Sequence, residues 1–143
     1  MSTTMIDRHI ESPAAWTRST VSLDEGRLLL GPECMTEIEA VVDTLRANPL
    51  PVLALSAADF DLAHCRRVAA RLTIMLEDGP GFAIVDRLPL DRLRREEAVA
   101  AFWLLSSLIA RPVAQKWDGT MVYDVRDRGR PPGNGVRPDI YNG

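Results

Sequence analysis

The chain has 143 residues, of which 46% are hydrophobic and 26% are charged, a composition typical of an ordinary globular protein. This composition excludes a collagen-like, a disordered or a membrane-spanning chain, and a chain of this length can bury a sizeable core without a metal or a disulfide. The 17 basic and 20 acidic residues give a net charge of −3, which offers no field to attract nucleic acid or anionic lipid. We therefore expect neither a nucleic acid nor a membrane as a partner.

The cysteines and the first residues bear on the compartment. Cys34 and Cys65 have neither a CxxC spacing nor that of a disulfide framework, so we predict small buried apolar groups in a reducing compartment. Asp7, Arg8 and Glu11 lie where a signal peptide would need an apolar run. The sequence therefore predicts a cytoplasmic protein.

Two helices are predicted in the first half of the chain. Apolar residues step by three and four through residues 33–47, and Pro32 suits the first turn of that helix. The spacing of Ser56 and Asp59 is that of a capping box, which predicts that the second helix opens there and runs to Glu77. The residues predicted to face the core are Met35, Ile38, Val42 and Leu45 in the first helix, and Cys65, Val68, Leu72 and Met75 in the second.

A third helix is predicted over residues 91–109, and Arg111-Pro112 closes it. Its second half is apolar nearly all round, so it should be covered on several sides. Phe102 and Trp103 are accordingly predicted to be core residues.

Extended segments are predicted between and after these helices. Residues 52–55 are a short apolar run that could be a strand, and residues 82–85, after a glycine-rich turn, read as a buried strand. Residues 121–126 alternate between apolar and polar, which is typical of a strand with one polar face. Residues 127–135 are predicted to be a loop, and residues 136–141 to begin another extended segment.

The order of these elements indicates an α/β (α+β) fold. We expect an irregular lead-in at residues 1–31 and one domain over residues 32–143. The sequence turns from helices to strands and stops after about one and a half of them, whereas an isolated pair of strands is marginal in water and invites pairing. We therefore expect an incomplete fold that pairs its strands with a missing C-terminal part or with another chain.

Five short segments follow one another in an order typical of one enzyme family. They are GPGFAIV at residues 79–85 with LP at 88–89, AFW at 101–103, PVAQ at 112–115, Gly119 followed by YDVRD at 123–127, and VRPDIYN at 136–142. From about Leu50 onward this order resembles the TauD/TfdA family of iron(II)- and 2-oxoglutarate-dependent dioxygenases, in the branch related to clavaminate synthase. The resemblance covers about 90 of the 143 residues.

The resemblance implies a fold and an activity. The helices would pack outside a double-stranded β-helix, or jelly roll, of which this chain holds the N-terminal helices and the first strands. The family places its His-x-Asp or His-x-Glu metal motif a few residues after the segment that matches Tyr141 and Asn142, so all of the metal and 2-oxoglutarate ligands would lie beyond Gly143. Two imidazoles and a carboxylate leave three positions open on iron(II), enough for a 2-oxo acid and O2.

By the same resemblance the complete enzyme would bind iron(II) and 2-oxoglutarate and hydroxylate a small organic substrate. This chain alone would bind neither cofactor and would be inactive, and we assign it no catalytic residue and no metal ligand. Since the family brings this strand toward the iron, the hydroxyl of Tyr141 and the amide of Asn142 are candidates to orient a substrate. They could equally be strand-surface residues. Arg137 could draw an anionic substrate or pair with the interleaved aspartates of its loop.

Two histidines require a separate interpretation. His9 and Glu11 form a His-x-Glu, and with His64 they superficially complete a facial triad. A metal ligand needs a rigid and oriented environment, which an N-terminal lead-in does not provide, so we expect no metal there. His64 is predicted to be a structural histidine on the second helix. A different function, a non-catalytic α/β interaction module that completes its sheet with a partner chain, predicts the same exposed strand edges.

Overall fold

The computed structural model describes residues 10–22, 24–123 and 125. The chain divides into two compact units, Met1–Arg111 and Pro112–Gly143. In chain order the first unit contains β1 (Arg27–Leu28), α1 (Gly31–Ala47), α2 (Ala63–Glu77), β2 (Ile84–Val85) and α3 (Arg95–Ile109). Two 3-10 turns, Val52–Ala54 and Ala57–Asp59, lie between α1 and α2. The described part is therefore α+β, with three helices and a small two-stranded sheet.

The core of the first unit lies among the three helices, each of which contacts the other two. The buried face of α1 consists of Cys34, Ile38, Val41 and Val42, so it is rotated from the predicted one and leaves Met35 and Leu45 only half-buried. The buried face of α2 consists of Cys65, Ala69 and Leu72. None of the described helices is both long enough and apolar enough to cross a bilayer.

The second helix begins later than its capping signal predicts. The Ser56 hydroxyl accepts a hydrogen bond from Ala58 N at 3.2 Å, so it caps the 3-10 turn Ala57–Asp59 rather than α2. The prediction that α2 opens at Ser56 is therefore wrong by about two turns. Its end at Glu77 is confirmed, and Gly81, with a φ of +77°, turns the chain back and donates its N–H to Met75 O at 3.2 Å.

The third helix confirms one of the two predicted aromatic core residues. Trp103 is 9% exposed and its indole N–H donates to Leu55 O at 3.1 Å. Phe102 is 57% exposed, so its prediction as a core residue is wrong. Among the described residues α3 packs against α1, α2 and the two 3-10 turns between them, and none of these covers Phe102.

The sheet joins two segments that are far apart in the chain. β1 and β2 pair in parallel, with Arg27 opposite Ile84 and Leu28 opposite Val85. Gly26 O accepts from Ile84 N at 2.6 Å, and Leu28 O accepts from Asp86 N at 3.0 Å. β1 thus lies inside the segment that was expected to be irregular.

One side of this sheet is covered and the other is not. On the face that carries Leu28 and its partner Val85, Leu28 is 1% and Val85 37% exposed, whereas Ile84, on the opposite face beside the exposed Arg27, is 58% exposed. The prediction of a strand at residues 82–85 is confirmed in position for Ile84–Val85, but the prediction that it is buried is wrong, because both of its residues, which point to opposite faces of the sheet, are exposed.

The segment before β1 is attached to the turn before β2. The Trp16 indole N–H donates to Pro80 O at 2.8 Å, and its ring meets that of Phe82 edge to face with centroids 5.0 Å apart. Gly26 lies directly against the Phe82 ring, where a Cβ would collide with it. Together with the β1–β2 pairing, these contacts attach residues 16–28 to residues 80–85, between α2 and α3.

Two predicted strands are corrected. Residues 52–55 contain a 3-10 turn, Val52–Ala54, in which Leu55 N donates to Val52 O at 3.1 Å. Of the predicted strand at residues 121–126, residues 121–123 form no strand, and residues 124 and 126 are not described; just before them the chain folds into a turn in which Gln115 N donates to Thr120 O at 2.8 Å and Gly119 N to Lys116 O at 3.1 Å. The predicted loop at residues 127–135 and the predicted extended segment at residues 136–141 lie outside the described residues.

Candidate functional site

The residues that the resemblance nominated for substrate binding are not among those described. Arg137, Tyr141 and Asn142 lie outside the described residues, as does His9. Glu11 is described and exposed. Of the two histidines, His64 is the one among the described residues, and the candidate site is described from its surroundings.

His64 lies at a junction between α1 and α2 that also contains Cys34, Glu37 and Cys65, here called the helix junction. The Glu37 carboxylate of α1 reaches the start of α2 and accepts from His64 N and Cys65 N, both at 2.8 Å. The same carboxylate contacts His64 Nδ1 at 2.8 Å. Because Leu62 at the start of α2 has no capping side chain, Glu37 supplies the cap from another helix.

These hydrogen bonds determine the charge of Glu37. Its side chain is only 13% exposed, and burial alone would raise the pKa of the carboxyl group. Hydrogen bonds from the His64 and Cys65 backbone amides, and then from the two side chains, outweigh burial and lower the pKa of Glu37 to about 2. The junction therefore holds a carboxylate that stays ionised far below neutral pH.

The two cysteines are the fully buried residues of the helix junction. Each is a free thiol and 1% exposed, which confirms the prediction of small buried groups. The Cys65 thiol donates to Cys34 O at 3.4 Å. Burial raises the pKa of both thiols, so neither is a thiolate nucleophile at neutral pH.

The chemistry that the helix junction can perform follows from these contacts. His64 has a side chain 44% exposed, and Glu37 orients its ring through Nδ1, as a carboxylate orients a catalytic imidazole. Because its pKa is about 2, Glu37 stays ionised and orients the imidazole without relaying a proton, and the adjacent thiols are protonated and shielded from solvent. Among the described residues no three histidine, cysteine, aspartate or glutamate side chains could hold a metal ion together. The junction as placed joins two helices, in agreement with the structural role predicted for His64.

Sequence reasoning did not find the role of Glu37. The residue is 27 positions from His64, so no local motif connects the two. One signal was present: α2 starts without serine, threonine, aspartate or asparagine at its cap, so its amides need an acceptor from elsewhere in the chain.

A second carboxylate is held between α1 and α3. Glu97 is 5% exposed, and Arg46 meets it with two hydrogen bonds of 3.0 Å, one to each carboxylate oxygen. Arg94 adds its backbone N–H at 2.8 Å and its Nε at 2.7 Å. The hydrogen bonds from the Arg46 side chain and the Arg94 backbone lower the pKa of Glu97 to about 2. Every oxygen of this carboxylate is engaged inside the fold, so we interpret it as structural.

A small apolar cavity lies between the helices. It measures about 10 Å³ and is lined by Ile38, Val41, Leu62, Ala101, Leu104 and Leu105. Its lining offers no polar partner to a water molecule. It is far smaller than a pocket that encloses a metabolite.

Comparison with known proteins assigns no family to the chain: no protein-family model matches it, and no curated protein is significantly similar to it.

Proposed function

We propose that this chain is the N-terminal portion of a TauD/TfdA-type iron(II)- and 2-oxoglutarate-dependent dioxygenase that hydroxylates a small organic substrate. In this proposal α1, α2 and α3 are the outer helices, and β1 and β2 belong to the sheet on which the double-stranded β-helix is built. The five ordered segments between residues 79 and 142 are the basis in sequence.

The observation that carries the proposal furthest is the uncovered side of the β1–β2 sheet. On that side Ile84 of β2 is apolar and 58% exposed, and Leu29, directly after β1, is 57% exposed. Amides that alternate along a strand point to opposite edges, and those of Ile84 and Asp86 point to β1, so the Val85 amide points to the other edge. An apolar side with an open edge is what a strand from a following β-helix would cover.

The described residues do not supply the iron site. A facial triad needs two imidazoles and a carboxylate around one point, whereas Glu37 is engaged by α2 and no suitable group of three is present among the described residues. The proposal therefore places the iron and 2-oxoglutarate ligands on a continuation of the polypeptide, and we derive no catalytic step from this chain. In the proposal this chain contributes the outer helices and the first strands, against which the rest of the barrel would pack.

The same uncovered sheet favours a second function, a non-catalytic module that completes its sheet with a partner chain. The two functions differ in the origin of the covering strand. In the dioxygenase it comes from the same polypeptide, and in the module it comes from a different protein.

The first test is the coding DNA beyond codon 143. The dioxygenase proposal requires an open frame with a His-x-Asp or His-x-Glu shortly after Gly143. A stop codon there, or a continuation without that motif, contradicts it and favours the interaction module.

The second test uses the longer protein encoded by that frame. With iron(II), 2-oxoglutarate and O2 we expect succinate release, which is abolished when the histidine of the motif is replaced by alanine. Hydrogen exchange supplies the structural readout, since the Val85 amide should exchange more slowly in the longer protein than in the 143-residue chain. Equal exchange of Val85 in both proteins, or no succinate from the longer protein, contradicts the proposal.

A further inference from the structure

The geometry of the helix junction points to a thiol–disulfide exchange site: Cys34 and Cys65 form a latent dithiol that can close into a disulfide between α1 and α2 when the two helices separate locally. The inference is independent of the proposed dioxygenase. It concerns two nucleophilic groups to which that proposal gives no role.

The first step of the argument is proximity. The Cys65 sulfur lies 3.4 Å from the carbonyl oxygen of Cys34, and the two thiol side chains interact directly with each other. A disulfide requires that the two Cα atoms approach within about 7 Å, a condition that two cysteines whose side chains already meet can reach through a local shift of α1 against α2.

The second step is protection. Both thiols are 1% exposed, so a small disulfide in solution cannot reach either sulfur while α1 and α2 are in contact. Burial also raises the pKa of both thiols, Cys65 more strongly, which suppresses the thiolate that exchange requires. In the closed structure the pair is therefore inert.

The third step is what opens the junction. The contact between the start of α2 and α1 depends on Glu37, which binds the amides of His64 and Cys65 directly beside the thiols. When this contact breaks, the Cys65 sulfur is exposed and its thiol ionises more readily. The residue that caps α2 thus also controls access to the dithiol.

The reaction balances with a low-molecular-weight disulfide such as oxidised glutathione. One cysteine thiolate attacks a glutathione sulfur, the glutathione disulfide bond breaks, and the departing glutathione thiolate takes up the proton. The second cysteine thiolate then attacks the protein sulfur of the mixed disulfide, the bond to glutathione breaks, and the second glutathione leaves as a thiolate that takes up the second proton. The protein loses two protons and two electrons, that is, two hydrogen atoms, and one oxidised glutathione becomes two reduced molecules.

The test measures the mass of the 143-residue protein after incubation with oxidised glutathione, first in buffer and then in urea below the unfolding midpoint. In buffer we expect the thiols to react at least about 100-fold more slowly than in unfolding urea, because only the open fraction reacts. In the intermediate urea we expect the loss of two hydrogens in a monomer. After removal of urea the oxidised protein should keep its helical circular dichroism and unfold at a higher urea concentration than the reduced protein, since the bond closes a long loop.

Variants provide the controls. Cys34→Ala and Cys65→Ala should each yield only the glutathione mixed disulfide, while Glu37→Gln should react faster than wild type in buffer. The matched Glu39→Gln, two residues along α1 with a half-exposed side chain, should react like wild type. Rapid reaction of native wild type, covalent dimers or mixed disulfides as its main product, or a disulfide form that has lost helix content would each overturn the inference. Since all of these readouts exist for wild type, a variant that fails to fold does not remove the test.

Discussion

Replacing Glu37 by glutamine should destabilise the protein, and the loss should depend on pH in a defined direction. The carboxylate accepts three hydrogen bonds of 2.8 Å from two residues of α2. Glutamine keeps one acceptor oxygen but directs its amide hydrogens at donors. Glu37→Gln therefore leaves at least one buried amide at the start of α2 without an acceptor.

The magnitude follows from the pKa. Folding lowers the pKa of Glu37 from 4.5 to about 2, which corresponds to about 3 kcal/mol of stability at neutral pH, at about 1.4 kcal/mol for each tenfold change. Because the folded pKa is the lower one, this stability is fully present above about pH 5 and is lost as the pH falls from 4.5 toward 2. We expect Glu37→Gln to cost about 2 to 3 kcal/mol at pH 7 and progressively less below pH 4.5.

Urea unfolding followed by far-ultraviolet circular dichroism, between pH 7 and pH 3, measures this difference. Glu97 also has a lowered pKa, but it is present in both proteins and its contribution cancels in the comparison. Glu39→Gln on the same helix is the control and should change stability by less than about 0.5 kcal/mol, since its contact with Arg92 is 3.8 Å long and exposed. A difference between wild type and Glu37→Gln that stays constant from pH 7 to pH 3 would refute the reasoning.

The remaining predictions concern packing, the ion-pair cluster and the metal. Trp103→Ala should cost about 3 to 5 kcal/mol in urea unfolding because it empties a core position, whereas Phe102→Ala, at its exposed neighbour, should cost less than about 0.5 kcal/mol; similar losses from both would contradict the placement of α3. Gly26→Ala should cost about 1 to 3 kcal/mol and shift Trp16 fluorescence to longer wavelength, because the new methyl group meets the Phe82 ring. Restoration of stability by a second change, Phe82→Ala, would identify the collision as the cause. Arg46→Ala should lower the urea midpoint measurably while Arg67→Ala, exposed on α2, leaves it unchanged, and an equal shift would show that the contact with Glu97 adds nothing. Titration of the 143-residue chain with iron(II) should show no tight stoichiometric binding, and such binding would contradict the assignment of the ligands to a continuation of the chain.

The sequence predicted the helices well because their signals are local. The three-and-four spacing, Pro32 and the glycine-rich turn after Glu77 each act within a few residues, and the observed ends of α1 and α2 follow from them. The start of α2 was missed because Ser56 satisfies a nearer amide, that of Ala58, and the backbone then forms a 3-10 turn first.

What the sequence could not predict depends on contacts between distant segments. Whether Phe102 and Ile84 are buried depends on what packs on them, which no pattern within their own segments determines. The parallel partner of β2 comes from a segment without strand periodicity, and the Glu37 cap connects residues 27 positions apart. The same holds for the candidate site: the sequence shows its glutamate, histidine and cysteines, but it does not predict that they meet at the helix junction.

The contacts between the segment before α1 and the segment between α2 and α3 have a consequence for synthesis on the ribosome. Trp16 meets Pro80 across 64 positions, and Leu30 N donates to an Asp86 oxygen across 56. The first two helices, α1 and α2, can begin to associate as they emerge, but β1 finds its partner only after Asp86 has left the exit tunnel, and α3 follows later still. Until that moment the backbone groups of Arg27 and Leu28 that later pair with β2 are open to pairing with other nascent chains nearby. The risk of aggregation during translation is therefore concentrated in this interval.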